Sequence, residues 1–292
     1  MNQLLALAFL LASGSVVVGA QPRMLNVGDA SLRFESAGTG QAIIFIHGWA
    51  QDLRLWDAEV PVFSSTYRVI RYDRRGYGKS TGHADPSADP ADLLALLDSL
   101  GIERPHLVGL SGGAGVALRF AMAYPDRVHG LVLCGYGGAA LQGLALPAGT
   151  GGVPPYADIL RRYGKDSLTK FVFSSPLVWR PPGSPDPLLD QPQWWKEYDG
   201  RDLLDPRPQS GRVPPPQWRD VPGLRVPTLV INGEHDIPRA LAVADSLAAR
   251  LPDVRRVVIP DAGHGVHIHQ PAVFHRTVME FLRALDARRG AG

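Results

Sequence analysis

Short apolar runs alternate with amphipathic stretches along most of the chain. Ala42 to Ile46 and Thr228 to Ile231 are continuous apolar or β-branched runs, typical of strands that are buried on both faces. Between such runs, stretches such as Pro86 to Leu100 carry apolar residues at helical spacing. This alternation predicts an α/β fold, with a mostly parallel sheet flanked by helices.

The same pattern predicts further elements. An alternating stretch around Gly28 and Asp29 predicts a hairpin at one edge of the sheet. The predicted elements are the hairpin Leu25 to Glu35, the strands Tyr67 to Tyr72 and Val254 to Ile259, and the helices Asp52 to Phe63, Val116 to Tyr124, Pro238 to Leu251 and Pro271 to Ala287.

The alternation stops between Gly135 and Pro222, a stretch that is rich in proline and tryptophan. A long irregular insertion is either a lid or disordered, and its tryptophans favour a lid. We therefore expect core residues 21–138 and 223–292 and a lid over residues 139–222, called the 139–222 segment below. Helical pieces are expected at Tyr156 to Tyr163 and Ser167 to Val172. Its tryptophans are either lid core or substrate wall: Trp179, Trp194, Trp195 and Trp218.

Composition and charge exclude several classes of partner. The chain has 292 residues and a net charge of +2, and no cluster of Lys and Arg stands out, so a nucleic-acid partner is not expected. Cys134 is the only cysteine. The chain therefore has neither an intrachain disulfide nor a cysteine-based zinc site.

The first residues have the pattern of an export signal. Leu4 to Ala12 is an uninterrupted apolar run, and Val18-Gly19-Ala20 suits cleavage before Gln21. This predicts a signal peptide over residues 1–20 and a secreted or periplasmic protein. The run is shorter than the roughly 20 residues of a spanning helix, so no stable membrane insertion is expected after processing. No basic residue precedes the run; if Met24 is the true start, the protein is cytoplasmic.

The strongest chemical motif is a Gly-x-Ser-x-Gly turn at Gly109 to Gly113. The apolar run before it predicts a strand, and the apolar spacing after it predicts a helix. Such a turn holds Ser111 in strained backbone angles, and its neighbours must lack bulk. The helix start at Gly112 directs free N–H groups and a positive dipole end beside the serine hydroxyl, where an oxyanion would be stabilised.

Two further groups follow predicted strands and complete a nucleophile, base and acid. A serine hydroxyl needs a base, and an imidazole base needs a carboxylate to set its tautomer. His264 and Asp236 supply these groups, and the order Ser111, Asp236, His264 along the chain suits this sheet topology. Trp49 follows the strand beside that of Ser111, so its backbone N–H is expected to pair with that of Gly112 as an oxyanion hole.

With these motifs the chain resembles the α/β-hydrolase superfamily, and within it the small serine esterases, cofactor-free haloperoxidases and enol-lactone hydrolases. The resemblance implies that Ser111 is the nucleophile, His264 the base and Asp236 the acid, and that Trp49 and Gly112 form the oxyanion hole. It implies no cofactor. Gly112 departs from the bulkier residue that the family often has there. The matching motifs are His47-Gly48-Trp49, Asp73-Arg74-Arg75-Gly76-x-Gly78-x-Ser80, Gly109-Leu110-Ser111-Gly112-Gly113, Gly233-x-x-Asp236 and Gly263-His264-x-x-His267-x-x-x-Pro271.

Other interpretations of these residues stay open. Glu234 and Asp261 are neighbouring carboxylates that could replace Asp236 as the acid. The histidines at 264, 267 and 269 suggest a metal site, but the hydrolase pattern already explains two of them, and no metal is expected. His47 is expected to support the oxyanion loop rather than to act as a base.

The predicted function is a serine hydrolase that cleaves a small-molecule carboxylic ester or lactone through an acyl-enzyme. Alternatives with the same triad are cleavage of a carbon–carbon bond in a diketone and a perhydrolase reaction with peroxide. An alternative of another class is a ligand receptor with a hydrolase fold. Substrate specificity lies in the 139–222 segment, and the sequence carries no signal for it or for the oligomeric state.

Overall fold

The computed structural model describes residues 21–138, 141–146, 148–150, 155–205, 207 and 210–290. The predicted signal peptide, residues 1–20, lies outside the described residues. No helix in the described part of the chain is both long and apolar enough to cross a bilayer.

The described residues contain one eight-stranded sheet, in the order β1-β2-β4-β3-β5-β6-β7-β8. The first two strands form the predicted hairpin, and β2 also pairs antiparallel with β4; the remaining pairs are parallel. The expected mostly parallel sheet is thereby confirmed. The strands are β1 Arg23–Val27, β2 Ala30–Ala37, β3 Ala42–Ile46, β4 Arg68–Tyr72, β5 His106–Leu110, β6 Gly130–Cys134, β7 Thr228–Gly233 and β8 Val254–Ile259.

Helices connect most of the strands and cover both faces of the sheet. They are α1 Glu59–Phe63, α2 Asp89–Ser99, α3 Gly112–Ala123, α4 Tyr156–Phe173, α5 Gln193–Glu197, α6 Arg201–Leu204, α7 Pro238–Ala248, α8 Val266–His269 and α9 Pro271–Gly290. Short 3₁₀ turns lie at Leu53–Trp56, Pro125–Arg127, Pro176–Val178 and Trp218–Gly223.

The single helix predicted from Asp52 to Phe63 is wrong. The structure has a 3₁₀ turn at Leu53–Trp56, whose start the Asp52 carboxylate caps, followed by the separate helix α1. Pro61 accounts for the break, because proline has no N–H to continue a helix from the preceding turn but fits the first turn of a new one.

Two buried clusters pack on opposite faces of the sheet. One includes Ile44, Leu107 and Phe120, and the other includes Phe45, Val108 and Phe274. Alternate residues of β3 and β5 therefore point to opposite cores, as in a strand that is covered on both faces. This packing holds the parallel strands β3, β5, β7 and β8 in place, and their carboxyl ends all lie at one edge of the sheet.

The 139–222 segment lies between β6 and β7 and has a small apolar cluster of its own. The two helical pieces expected there are both present: Gly164, with a φ of +77° and a ψ of −179°, is not helical and separates α4 into two helices that meet at a kink. Leu168, Val172, Phe173 and Trp195 form the buried part of the cluster together with Ala50 of the core domain. This segment therefore packs directly against the loop that follows β3.

Candidate active site

Ser111 lies at the sharp turn between β5 and α3. Its φ is 54° and its ψ is −114°, a region that side-chain-bearing residues rarely adopt. Its N–H donates to the carbonyl of Cys134 at 2.8 Å. A Cβ on Gly109 would lie 2.4 Å from the carbonyl oxygen of Gly113. Glycine at these positions therefore makes the tight turn possible.

Asp236 and His264 meet because β7 and β8 are parallel neighbours whose carboxyl ends lie at one edge. The Nδ1–H of His264 donates to Oδ1 of Asp236 at 2.7 Å. The buried carboxylate also accepts hydrogen bonds from the Asn232 amide and the Ile237 N–H, each at 2.7 Å. Burial raises the pKa of Asp236, but the charge and hydrogen bond of His264 outweigh it, and the pKa lies below its usual value.

Ser111 and His264 line the same cavity, which has a volume of about 540 Å³. Nε2 of His264 is buried and has no hydrogen-bond partner among the described residues. The serine hydroxyl and the imidazole are thus near the same space without a hydrogen bond between them. Such bonds often form only when substrate is bound.

The loop after β3 brings the second predicted oxyanion donor to the serine turn. A Cβ on Gly112 would lie 3.4 Å from the backbone nitrogen of Trp49, so the two predicted donor segments adjoin. Gln51 supports this loop, because its Oε1 accepts the N–H of Gly48 at 2.8 Å. Trp49 and Gln51 both line the cavity.

His47 is a support of this loop. Its Nδ1–H donates to the carbonyl of Gly48 at 2.8 Å, and its Nε2 accepts the N–H of Arg74 at 2.9 Å. Burial, together with the nearby charge of Arg74, lowers the pKa of His47 to about 3. Both ring nitrogens are occupied and the ring stays neutral, which suits a structural role and not that of a base.

Arg74 explains the small residue at position 112. A Cβ on Gly112 would lie 3.3 Å from the Arg74 guanidinium, which forms a buried ion pair with Asp89 at 2.5 Å. Arg74 therefore takes up space beside the turn that a larger side chain at 112 would need. Asp73, the neighbour of Arg74 in the loop after β4, stabilises that loop, because its carboxylate accepts hydrogen bonds from the N–H groups of Leu53 and Lys79 at 2.8 and 2.7 Å.

The rival residues lie elsewhere. Glu234 and Asp261 are exposed, and neither is hydrogen-bonded to His264. His267 is buried against Trp56, with ring centroids 4.7 Å apart. His269 accepts the N–H of Gly263 at 3.1 Å through Nδ1. The three histidines thus have separate partners and do not converge.

The sequence left open whether the tryptophans of the 139–222 segment form an apolar core or line the substrate site, and the structure has examples of both. Trp179, Trp194 and Trp195 line the cavity, and Trp195 is also buried in the cluster of that segment. Trp218 packs against the main core instead. The cavity also contains one ion pair, Arg180 with Asp190 at 3.0 Å.

Three residues near the site were not predicted. Asn232 has a signal in the sequence, since it is a polar residue at the end of an apolar strand four positions before Asp236. Gln51 and Asp202 have none. Asp202 accepts a hydrogen bond from the Trp49 indole at 2.8 Å, across 153 positions of the chain.

Comparison with known proteins shows a hydrolase family. Residues 43–277 match the model of a family described as the alpha/beta hydrolase family. The chain is 30% identical to a 2-hydroxy-6-oxononadienedioate/2-hydroxy-6-oxononatrienedioate hydrolase from Burkholderia vietnamiensis (strain G4 / LMG 22486), over 87% of this chain and 92% of the relative.

Solved structures of similar proteins include an esterase and a lactonase. A thermophilic esterase from Thermogutta terrifontis aligns with a TM-score of 0.68 and 28% identity, covering 91% of this chain and 99% of the esterase. The enol-lactonase from Burkholderia xenovorans LB400 aligns with a TM-score of 0.74 and 26% identity, covering 89% of this chain and 100% of the lactonase.

Proposed function

The chain belongs to the α/β-hydrolase family, and from this membership we propose that it is a serine hydrolase that cleaves a carboxylic ester or lactone through an acyl-enzyme. The observation that carries the proposal is the shared cavity of Ser111 and His264, with the other ring nitrogen of His264 bound by buried Asp236. An imidazole whose tautomer is set in this way has Nε2 free to accept a proton.

In the proposed reaction Ser111 Oγ attacks the substrate carbonyl and His264 Nε2 accepts the hydroxyl proton. Asp236 stabilises the resulting imidazolium, and the N–H groups of Trp49 and Gly112 stabilise the oxyanion. His264 then protonates the leaving alcohol. Water, activated by the same imidazole, hydrolyses the ester on Ser111 and restores the free serine. For a lactone, the alcohol released from the carbonyl remains on the acyl chain, so the second step yields a single hydroxy acid.

The residues that line the cavity favour a small and mainly apolar substrate. Tryptophan, leucine, valine and proline side chains of the 139–222 segment surround the space in front of Ser111. Apolar walls of this kind hold an acyl or aryl group by burial, and the few polar groups set its orientation. The resemblance to an esterase and an enol-lactonase, both above 25% identity, supports the same class of substrate.

Cleavage of a carbon–carbon bond is the second candidate. The relative from Burkholderia vietnamiensis is named as a hydrolase of 6-oxo dicarboxylates. Hydrolysis beside the ketone of such a molecule breaks a carbon–carbon bond and needs the same base and oxyanion site. Arg180 supports this candidate, because it places a cation in the cavity wall where a substrate carboxylate would find it, although Asp190 already pairs with it.

The test is hydrolysis of p-nitrophenyl esters from acetate to palmitate, beside 2-hydroxy-6-oxo dienoates, by the wild-type chain and by Ser111→Ala. We expect multiple turnover on esters that falls at least about 10³-fold in the variant. Ser184→Ala is the matched control, because Ser184 also lines the cavity but has no such role. Undiminished turnover in Ser111→Ala would overturn the proposal. Activity on the dienoates alone would favour the second candidate, and labelling of Ser111 by an organophosphonate without turnover on either class would favour a receptor.

A further inference from the structure

Asp202 is a carboxylate surrounded by aromatic donors. It lies on α6, within the 139–222 segment, and accepts hydrogen bonds from Trp49 Nε1 at 2.8 Å, Tyr198 Oη at 2.6 Å and Tyr77 Oη at 3.2 Å. It forms no ion pair within the part of the chain that the structure describes. A partly buried carboxylate that is held only by neutral donors costs desolvation energy, so its presence needs an explanation.

The three donors belong to different parts of the site. Trp49 is on the predicted oxyanion loop, Tyr77 is on the loop after β4, and Tyr198 is on the 139–222 segment near Asp202 itself. Burial raises the pKa of Asp202, although its hydrogen bonds with Tyr198, Trp49 and Tyr77 oppose that rise. One carboxylate thus ties the oxyanion loop and its neighbour to the segment above them.

The indole of Trp49 is enclosed by the same segment. It stacks on Tyr156 with ring centroids 4.3 Å apart and an interplanar angle of 15°, and it contacts Trp195 edge-on at 6.2 Å. These ring contacts restrict the tilt of the indole but leave rotation within the ring plane open. The hydrogen bond to Asp202 removes that freedom, because it fixes the position of Nε1.

The position of Asp202 is itself set independently of Trp49. The guanidinium of Arg201 donates to the carbonyls of Gly76, Gly78 and Ser80 at 2.8 to 3.1 Å. This anchors α6 to the loop after β4. Asp202 can therefore impose an orientation on Trp49 instead of following it.

We infer that Asp202 is a positioning residue that holds the indole of Trp49, and through it the Trp49 backbone N–H, in the geometry that stabilises the oxyanion. The inference rests on the proposed function, which makes that N–H an oxyanion donor. It adds that the oxyanion hole is complete only while α6 is docked, so the segment that shapes the cavity also controls catalysis. Substrates whose size displaces α6 would lose turnover and not only affinity.

The test is a double-mutant cycle with Asp202→Leu and Trp49→Phe. Trp49→Phe keeps the backbone N–H and an aromatic ring but removes Nε1, and Asp202→Leu keeps a side chain of similar size but removes the acceptor of that bond. Misplacing one oxyanion donor should lower kcat roughly 10- to 100-fold in each single variant, with KM changed by less than about threefold. Because both changes break one bond, the double variant should be no more than about twofold slower than the slower single variant.

Two further readouts separate positioning from a purely structural role. Phenylboronic acid forms a tetrahedral adduct with an active serine and places an oxygen at the oxyanion site. Its inhibition constant should rise by the factor by which kcat/KM falls. Thermal unfolding should show that the variants are folded at the assay temperature. Asp158→Asn, which changes an exposed aspartate of the same segment, should leave kcat, KM and the inhibition constant unchanged.

The possible outcomes have distinct meanings. If Ser111 is required but Asp202→Leu keeps wild-type kcat and boronic acid affinity, the inference is wrong and the proposed function stands. Multiplicative effects in the double variant would also overturn it, because Asp202 would then act by another route. If Asp202→Leu does not fold, Trp49→Phe alone decides, since wild-type kcat in that variant contradicts the inference. Full activity in Ser111→Ala would contradict both the inference on Asp202 and the proposed function.

Discussion

At the scale of single residues, the site depends on polar groups whose partners come from distant parts of the chain. The carboxylate of Asp236 accepts hydrogen bonds from His264, Asn232 and the N–H of Ile237. Asp236 is also buried. A carboxylate with this many donors is oriented before substrate arrives. Glu234 and Asp261 are exposed and have no comparable set of donors.

This difference predicts the effect of removing one carboxylate at a time. Asp236→Asn should lower kcat about 10³- to 10⁴-fold. The amide favours the wrong tautomer of His264, and it carries no negative charge to stabilise the imidazolium that forms during the reaction. Steady-state kinetics on the best p-nitrophenyl ester measures the effect. Glu234→Gln and Asp261→Asn are the matched controls and should stay within about twofold of wild type. A large loss in either control, with Asp236→Asn active, would reassign the acid.

The residue types of the site were predictable, but their supports were not. Ser111, Asp236 and His264 follow apolar runs, and the pattern of strands alone places them at one edge of a parallel sheet. Asp202 lies in a stretch without regular periodicity, and its bond to Trp49 spans 153 positions. Such a contact depends on how the 139–222 segment packs, which no local pattern encodes.

At the scale of elements, the turn between β5 and α3 is limited by backbone contact. A Cβ on Gly113 would lie 2.1 Å from the carbonyl oxygen of Ile46 and 2.6 Å from that of His47. These carbonyls are at the end of β3, where the predicted oxyanion loop begins. The start of α3 and the end of β3 can therefore approach only because position 113 has no side chain.

Gly113→Ala should consequently destabilise the protein by about 1–3 kcal/mol or more, since backbone carbonyls cannot rotate away as a side chain can. Urea unfolding followed by circular dichroism measures the change. Gly223→Ala is the control, because a Cβ there would meet nothing within 4 Å. Its free energy of unfolding should stay within about 0.5 kcal/mol of wild type. Equal stability of the two variants would contradict the close approach of α3 to β3.

Element boundaries show where local patterns were sufficient. The strands Ala42–Ile46 and Val254–Ile259 have the predicted bounds, because continuous apolar or alternating runs end at clear turn signals. The helix expected from Asp52 to Phe63 is divided, and the two pieces expected around Gly164 are two helices that meet at a kink. In both cases one residue decided the outcome, since Pro61 cannot continue a helix and Gly164 adopts the positive φ of a kink.

At the scale of the whole molecule, the protein interior contains buried ionisable groups outside the proposed site. Glu59 is fully buried on α1, with Oε1 3.3 Å from Nε2 of His275 on α9. Burial, together with the nearby charge of Asp57 and against that of Arg71, raises the pKa of Glu59 from 4.5 to about 8. Burial also lowers the pKa of His275, so the pair is neutral near pH 7.

This pair predicts how global stability depends on pH. Between pH 4.5 and about 8 the folded state keeps the Glu59 proton that the unfolded state has released. The contribution of Glu59 to stability therefore falls as pH rises through this window, by at most about 1.4 kcal/mol for each pH unit, whereas buried neutral histidines such as His47 and His267 contribute in the opposite direction below about pH 6.5. Glu59→Gln removes the ionisation in both states, and its free energy of unfolding relative to wild type should increase steadily from pH 5 to pH 8. Urea unfolding at several pH values measures this difference, and groups other than Glu59 cancel in it. Glu103 is exposed, so the free energy of unfolding of Glu103→Gln should differ from that of wild type by the same amount at every pH. If the difference for Glu59→Gln is also independent of pH, Glu59 is ionised in the folded protein.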